Sequence, residues 1–291
     1  MRIGPAAGAG AWGVDTVQPA APSLSILSLS LVPAAECRFR ATPARSLRAA
    51  LLRRLELLNP ELTEFMHAAN AGAAQNPRPW TVSSLLGPLE RRGNYLVARP
   101  GIPCRVRVTA LAPEVHQALH DAFFSDHPLA AEPLVLEGVP FQPVVAATRW
   151  EGPTGYTSLL TYARPQRRIS LRFRSPTGFR QRDQERPEPT PELCLVGYLN
   201  RWNAFSEVSL PQEDLLDYAR QHLRVARADL RPANQYVGQN FIPGVMGWVE
   251  WESDGAAPAL LRLVNALADY AVYCGTGVQT TQGMGQTERL P

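Results

Sequence analysis

Residues Arg168-Ile169-Ser170-Leu171-Arg172-Phe173-Arg174 constrain the fold more tightly than any other local pattern in the chain. Period-two alternation puts Ile169, Leu171 and Phe173 on one side of a strand and three arginines on the other. A strand with one oily and one charged face belongs to a sheet that helices cover on a single side. Cys104 to Leu111 repeats the pattern, with Arg105 and Arg107 opposing Val106 and Val108. Both strands are therefore expected to offer an open, arginine-bearing platform.

The surrounding segments supply the helices. Ser23 to Val32 alternates leucine and serine as a strand, and Leu47, Leu51, Leu55 and Leu58 form a helical stripe that stops before Pro60. Asn59 is placed to cap a second short helix ending near Asn70-Ala71-Gly72, with Pro60 in its first turn. Strands follow at Trp80 to Leu86 and Cys104 to Leu111, then a helix opened by Pro113, then a strand over Val139 to Ala147. The second half repeats the order: strand Arg168 to Arg174, a proline-rich loop Arg182 to Pro191, helices Glu192 to Asn203 and Gln212 to Gln221, and strands Leu223 to Leu230 and Val245 to Trp251. A helix carrying Leu260, Leu263, Val264, Leu267, Ala271 and Val272 on one side precedes a terminal strand. The expected class is α+β, two tandem ferredoxin-like (RRM-like) domains over 23–148 and 156–291, joined near Arg149 to Gly155, after a leader at 1–22.

Composition narrows the functional classes. Hydrophobic content of 45% and charged content of 19% suit a core-forming protein, and a net charge of +3 provides no global field for polyanions. All 29 basic residues are arginine, whose planar fork pairs with phosphate and stacks on bases. Compositional bias accounts for the missing lysine, so the faces carrying arginine matter more than their number. Cys37, Cys104, Cys194 and Cys274 are scattered without a CxxC pair, which fits a reducing cytoplasm rather than a zinc ribbon or disulfide scaffold. Residues 1–22 have no apolar core typical of a signal peptide, and no run is long enough to span a bilayer.

Near the C-terminus the chain reads Cys274-Gly275-Thr276-Gly277-Val278-Gln279-Thr280-Thr281-Gln282-Gly283-Met284-Gly285. Gly275, Gly277, Gly283 and Gly285 allow backbone amides to come close to a ligand, a phosphate above all. Neither the Walker nor the dinucleotide signature is met, and a plain turn and hairpin is the structural alternative. His116 and His120 stand at i and i+4, a spacing open to a shared metal, yet Gln117 stands where a zincin has glutamate and both histidines flank a core stripe. No metal or cofactor is expected. Trp80, Trp202, Trp248 and Trp251 are read as core or rim before base-stacking groups.

These residues resemble a known family, the CRISPR-associated endoribonucleases that process precursor CRISPR RNA, within the repeat-associated mysterious protein superfamily. Gly275 to Gly285 resembles the superfamily's C-terminal signature. Ser175-Pro176-Thr177-Gly178-Phe179-Arg180, Arg201-Trp202-Asn203 and Phe241-Ile242-Pro243-Gly244-Val245-Met246-Gly247 are similar to further motifs, as are Phe65-Met66-His67 and Pro79-Trp80-Thr81-Val82-Ser83 in the first half. Each motif is weak alone, whereas their order and spacing together are specific.

The resemblance implies metal-independent cleavage of CRISPR repeat RNA by 2′-hydroxyl attack, leaving 2′,3′-cyclic phosphate and 5′-hydroxyl ends. His67 occupies the position of the family's catalytic histidine. On a helix from Pro60 with Leu62, Phe65 and Ala69 as its apolar side, His67 projects away from the core, and in the last turn the helix dipole favours its imidazolium. Family members of archaeal type pair the histidine with tyrosine and lysine. This chain has no lysine and no tyrosine between Arg45 and Trp80, so Arg45, Arg48 or Arg78 would carry the charge-stabilising role. The expected RNA-binding set is Arg105, Arg107, Arg168, Arg172, Arg174 and the four glycines. The competing reading is a non-catalytic RNA-binding subunit of a CRISPR effector complex, and a homodimer stays open.

Overall fold

The computed structural model describes residues 22–40, 42–67, 77–181, 184–237 and 240–291. Nearly all of the expected leader, the end of the second helix near Asn70 and Arg182 lie outside the described residues, as does the side chain of His67.

The first half is built on β1, Leu24–Pro33. Helix α1, Ala44–Leu58, follows and buries Leu47, Leu51 and Leu55 at helical spacing, as its stripe requires. Truncating the fully buried Leu51 to alanine is expected to cost about 2–5 kcal/mol. Asn59 turns the chain into α2, Pro60–His67, its Oδ1 accepting from the Leu62 amide at 2.9 Å. Next come β2, Trp80–Val82, and β3, Cys104–Ala110, then α3, Pro113–Phe124, which buries Val115, Leu119, Ala122 and Phe123. Strand β4, Val139–Pro143, completes the unit. The strands lie in the order β2-β3-β1-β4, so the first and third are central and the fourth returns beside the first. This is the ferredoxin-like arrangement. The segment expected to join the halves is instead a further strand, β5, Arg149–Thr154, paired antiparallel with β1 over Leu24 to Ser28.

The second half repeats the plan. It consists of β6, Arg168–Thr177; α4, Pro191–Phe205; α5, Gln212–His222; β7, Leu223–Pro232; β8, Val245–Ser253; α6, Pro258–Cys274; and β9, Thr287–Leu290. Its order is β7-β8-β6-β9, the same topology as the first sheet. Ile169, Leu171 and Phe173 are buried at 0–1% exposure, as the alternation demands. The buried stripe of α6 runs through Leu261, Val264, Leu267, Ala268 and Ala271, so Leu260, Leu263 and Val272 sit at its margin.

Two cores result, and β1 belongs to both. Leu27, Leu29 and Leu31 pack with α1 and α3, while Leu24 and Ile26 join Tyr156 and Trp202 in the core of the second half. Tyr156 reinforces this joint by donating its hydroxyl to the Leu111 carbonyl at 2.8 Å and meeting Trp202 edge-on at 4.9 Å. Among the described residues no helix is long and apolar enough to cross a membrane.

Candidate functional site

Each of the four C-terminal glycines has positive φ, between 68° and 88°. Their purpose is close approach of chain to chain. A Cβ on Gly277 would fall 2.1 Å from the Gly178 carbonyl oxygen, and one on Gly285 would fall 2.1 Å from that of Thr276. Three of the four amides expected to face a phosphate are occupied: Gly275 donates to Ala271 O at 2.9 Å, Gly283 to Val82 O at 3.0 Å and Gly285 to Pro176 O at 2.9 Å. Thr276 and Met284 are wholly buried. The loop is thus a wedge between the halves, with Gly283 bridged to Ser83 beside β2 and packed on Ala44 at the start of α1.

The scattered motifs of the second half converge on this wedge. Pro176 and Gly178 accept from loop amides, and Ser175 Oγ accepts from the Gln286 amide at 2.9 Å. Arg201 donates to the Gly277 carbonyl at 3.0 Å, and Gln235 donates to that of Gln282 at 2.8 Å. Tyr198, fully buried, shares a 2.6 Å hydrogen bond with Thr276. Trp202 and Asn203 have structural roles, holding the turn after α4 through Val208 and Leu210.

Positive charge gathers where the wedge meets the first half. Arg48 lies one turn into α1, and its Nε and Nη2 are buried without a hydrogen-bond partner among the described residues. Burial, and then the neighbouring charge of Arg78, push the Arg48 guanidinium down to about 10. Arg78, itself lowered by burial, donates to Thr281 Oγ1 in the loop at 3.0 Å. The idle donors of Arg48, with a second guanidinium beside them, suit an anion with several acceptor oxygens. Arg45 is exposed.

His67 ends α2, where the helix dipole supports a positive charge. Of that helix Leu62, Thr63 and Met66 are buried, Met66 filling the core beneath α1, while the side chain of Phe65 and all of Ala69 lie outside the described residues. Backbone position 67 therefore stands about 100° round from the buried stripe's last member. From there the chain leads through 68–76 to Arg78, the residue that grips the loop.

The arginine strands part ways. Arg105 is exposed. Arg107 is not part of an open platform: its guanidinium donates to Val272 O at 2.5 Å and Gln286 Oε1 at 3.1 Å, and burial lowers it to about 10. Thr109 on the same face donates to Tyr273 O at 2.7 Å, so the helix-free face of the first sheet packs on the second half. Arg168, Arg172 and Arg174 do stand on an uncovered face. Glu252 lies 3.7 Å from Arg168 and 2.6 Å from Arg224, while Glu288 lies 2.7 Å from Arg174 and 4.0 Å from Arg172. Arg168, Arg172, Arg174 and Arg224 thus each keep a carboxylate neighbour. His116 shares a 2.8 Å hydrogen bond with Ser25 and lies 4.1 Å from the Trp150 ring, while the His120 ring lies 5.6 Å from that of Phe124.

Comparison with known proteins gives concordant matches. The family described as CRISPR-associated endoribonuclease Cas6 matches residues 171–287. A curated relative of that description from Mycobacterium tuberculosis is 23% identical over 209 residues, 70% of this chain and 64% of the relative, so the matched region spans just under two thirds of that protein. Among solved structures, a Thermus thermophilus Cas6 product complex is 23% identical with a TM-score of 0.74, covering 94% of this chain and 100% of the other. A second Cas6 product complex is 25% identical with a TM-score of 0.70, covering 92% and 99%. With the motif order and the doubled ferredoxin-like topology, these matches show a chain whose residues 171–287 are similar to the CRISPR-associated Cas6 endoribonucleases and whose fold is that of solved Cas6 structures.

Proposed function

We propose that the protein is a metal-independent endoribonuclease that cuts CRISPR repeat RNA in the precursor transcript. In the reaction the ribose 2′-oxygen loses its proton and bonds to the adjacent phosphorus. The P–O5′ bond breaks, and the departing 5′-oxygen takes up a proton. A 2′,3′-cyclic phosphate and a 5′-hydroxyl result. His67 carries one of the two proton transfers, a role that suits an imidazole titrating near neutrality. Arg48 and Arg78 neutralise the charge that builds on the phosphorane oxygens. Arg168, Arg172 and Arg174 hold the flanking backbone on the open sheet.

The single observation that carries this reading is the buried, unpartnered edge of Arg48 beside Arg78 at the glycine wedge. A buried guanidinium with idle donors is costly unless an anion completes it. Structures with the same fold have been solved as product and substrate-mimic complexes of Cas6, which supports RNA as that anion. Four buried, unpaired cysteines fit a cytoplasmic setting.

The test is to incubate the full chain with repeat RNA in chelator and to map the ends. Cleavage with cyclic phosphate termini is expected, and a 2′-deoxy residue just upstream of the cut should block it. Continued cutting of the deoxy substrate rules out internal attack. Binding with no cleavage under any condition moves the protein to the non-catalytic subunit reading.

A further inference from the structure

The uncovered face of the second sheet holds a cavity of about 410 Å³, lined among others by Arg172, Arg174, Asp229, Arg231, Met246 and Gly247. Register sets Asp229 and Arg172 on the two strands that flank β8, with Trp248 between them. Trp248 on β8 pairs with Asp229 on β7 and with Arg172 on β6, and the next outward pair is Arg231 with Met246. The floor is peptide backbone, because Phe173 buries its side chain on the other face and its partner Gly247 has none. Gly247 is required there, since a Cβ would lie 2.0 Å from the Asp229 carbonyl oxygen.

Asp229 is the feature that sets the chemistry of this cavity apart. It is exposed and is the one carboxylate lining this cavity, yet among the described residues it makes no ion pair, although three arginines share the cavity. The other outward carboxylates named above, Glu252 and Glu288, are each close to two arginines. A lone phosphate fits the guanidinia and is repelled by Asp229. A nucleotide with two adjacent donors on its base suits both, because a carboxylate accepts two parallel N–H bonds while the arginines take the phosphates. Guanine presents such a pair, N1–H and the N2 amino group. Adenine and cytosine put a ring acceptor next to their amino group, and uracil flanks its single N–H with carbonyls. The volume lies within the range of small-ligand sites.

We propose that this cavity is a subsite for one unpaired guanine, read by Asp229, packed against Met246 and flanked by Arg172, Arg174 and Arg231 on the adjoining phosphates. The assignment deepens the RNA-processing reading and rests on it only for RNA being the ligand.

The probes are three labelled nonaribonucleotides, four uridines on each side of a central guanosine, inosine or adenosine, with binding followed by fluorescence anisotropy. The full chain should bind the guanosine nonamer about tenfold more tightly than the adenosine one, the scale of a good bidentate base contact. Inosine, lacking the N2 amino group, should fall between. In Asp229→Asn the ratio should collapse towards one without weakening the adenosine nonamer, and in Arg231→Ala all three should weaken alike. Equal binding of guanosine and adenosine by the wild-type chain, or a preference that survives Asp229→Asn, overturns the subsite. Repeat-RNA cleavage measured on the same preparations separates the two readings. Preference without cleavage keeps the subsite and removes the nuclease, and cleavage without preference does the reverse.

Discussion

Strands β3 and β6 carry the same alternation of arginine with apolar residues and have opposite fates. On β6, Arg168, Arg172 and Arg174 look into solvent with carboxylate neighbours. On β3, Arg107 is drawn into the joint between the halves, donating to Val272 and Gln286. Alternation states which residues share a face. It is silent on what covers that face, because the cover comes from residues more than 150 positions away. Arginine thus has two settings here: at the joint it holds the molecule together, and on the open sheet it stands free of the core, where the proposed function has it hold a polyanion.

The sharpest test of that division lies at the joint's chemical end. His67→Ala is expected to slow cleavage about 10²- to 10⁴-fold in single-turnover assays. RNA binding should stay within a few-fold of wild type, and a variant that cuts at the normal rate removes His67 from the mechanism. Arg48→Met should slow cleavage about 10²-fold, the scale of losing one transition-state donor. Its melting temperature should not fall, since an unsatisfied buried charge has been removed. Inorganic phosphate should raise the melting temperature of the wild-type chain more than that of the variant, and an equal rise in both denies an anion site at Arg48.

Arg107→Met should act in the other way. It leaves the Val272 carbonyl without its charged donor and should cost about 2 kcal/mol in urea unfolding, whether or not RNA is present. An Arg107 variant as stable as wild type but defective in RNA binding would return β3 to the open-platform role. The smallest effect belongs to the face itself. Arg172→Ala with Arg174→Ala should change stability by less than about 0.5 kcal/mol. It should also lower the salt dependence of RNA binding by about one to two contacts' worth of slope.

Much of the architecture was legible because it rests on local periodicity. Leu47, Leu51 and Leu55 announce α1, Asn59 caps α2 as its side chain allows, and Ile169, Leu171 and Phe173 define the buried face of β6. The misread positions all depend on distant partners. Met66, absent from the expected stripe of α2, fills the space under α1. Residues 149–154, full of polar and glycine character, become a strand only because β1 offers them an edge. The sequence shows the freedom of the glycines and not the carbonyls of Ala271, Val82 and Pro176, which accept from the amides of Gly275, Gly283 and Gly285. Of the candidate site, Arg48 and Arg78 were visible as cations near His67, but their proximity to each other at the wedge was not. Asp229 left no local signal, being one acidic residue on an exposed edge strand whose meaning arises across the sheet.

Strand β1 lends Leu24 and Ile26 to one core and Leu27, Leu29 and Leu31 to the other. A single rod of ten residues thereby ties the two halves into one cooperative body. Neither half can melt without exposing leucines that the other needs, so calorimetry should register one heat-absorption peak. A cut placed after residue 148 would take β1 away from the second half and leave a hydrophobic scar where Leu24 and Ile26 had been.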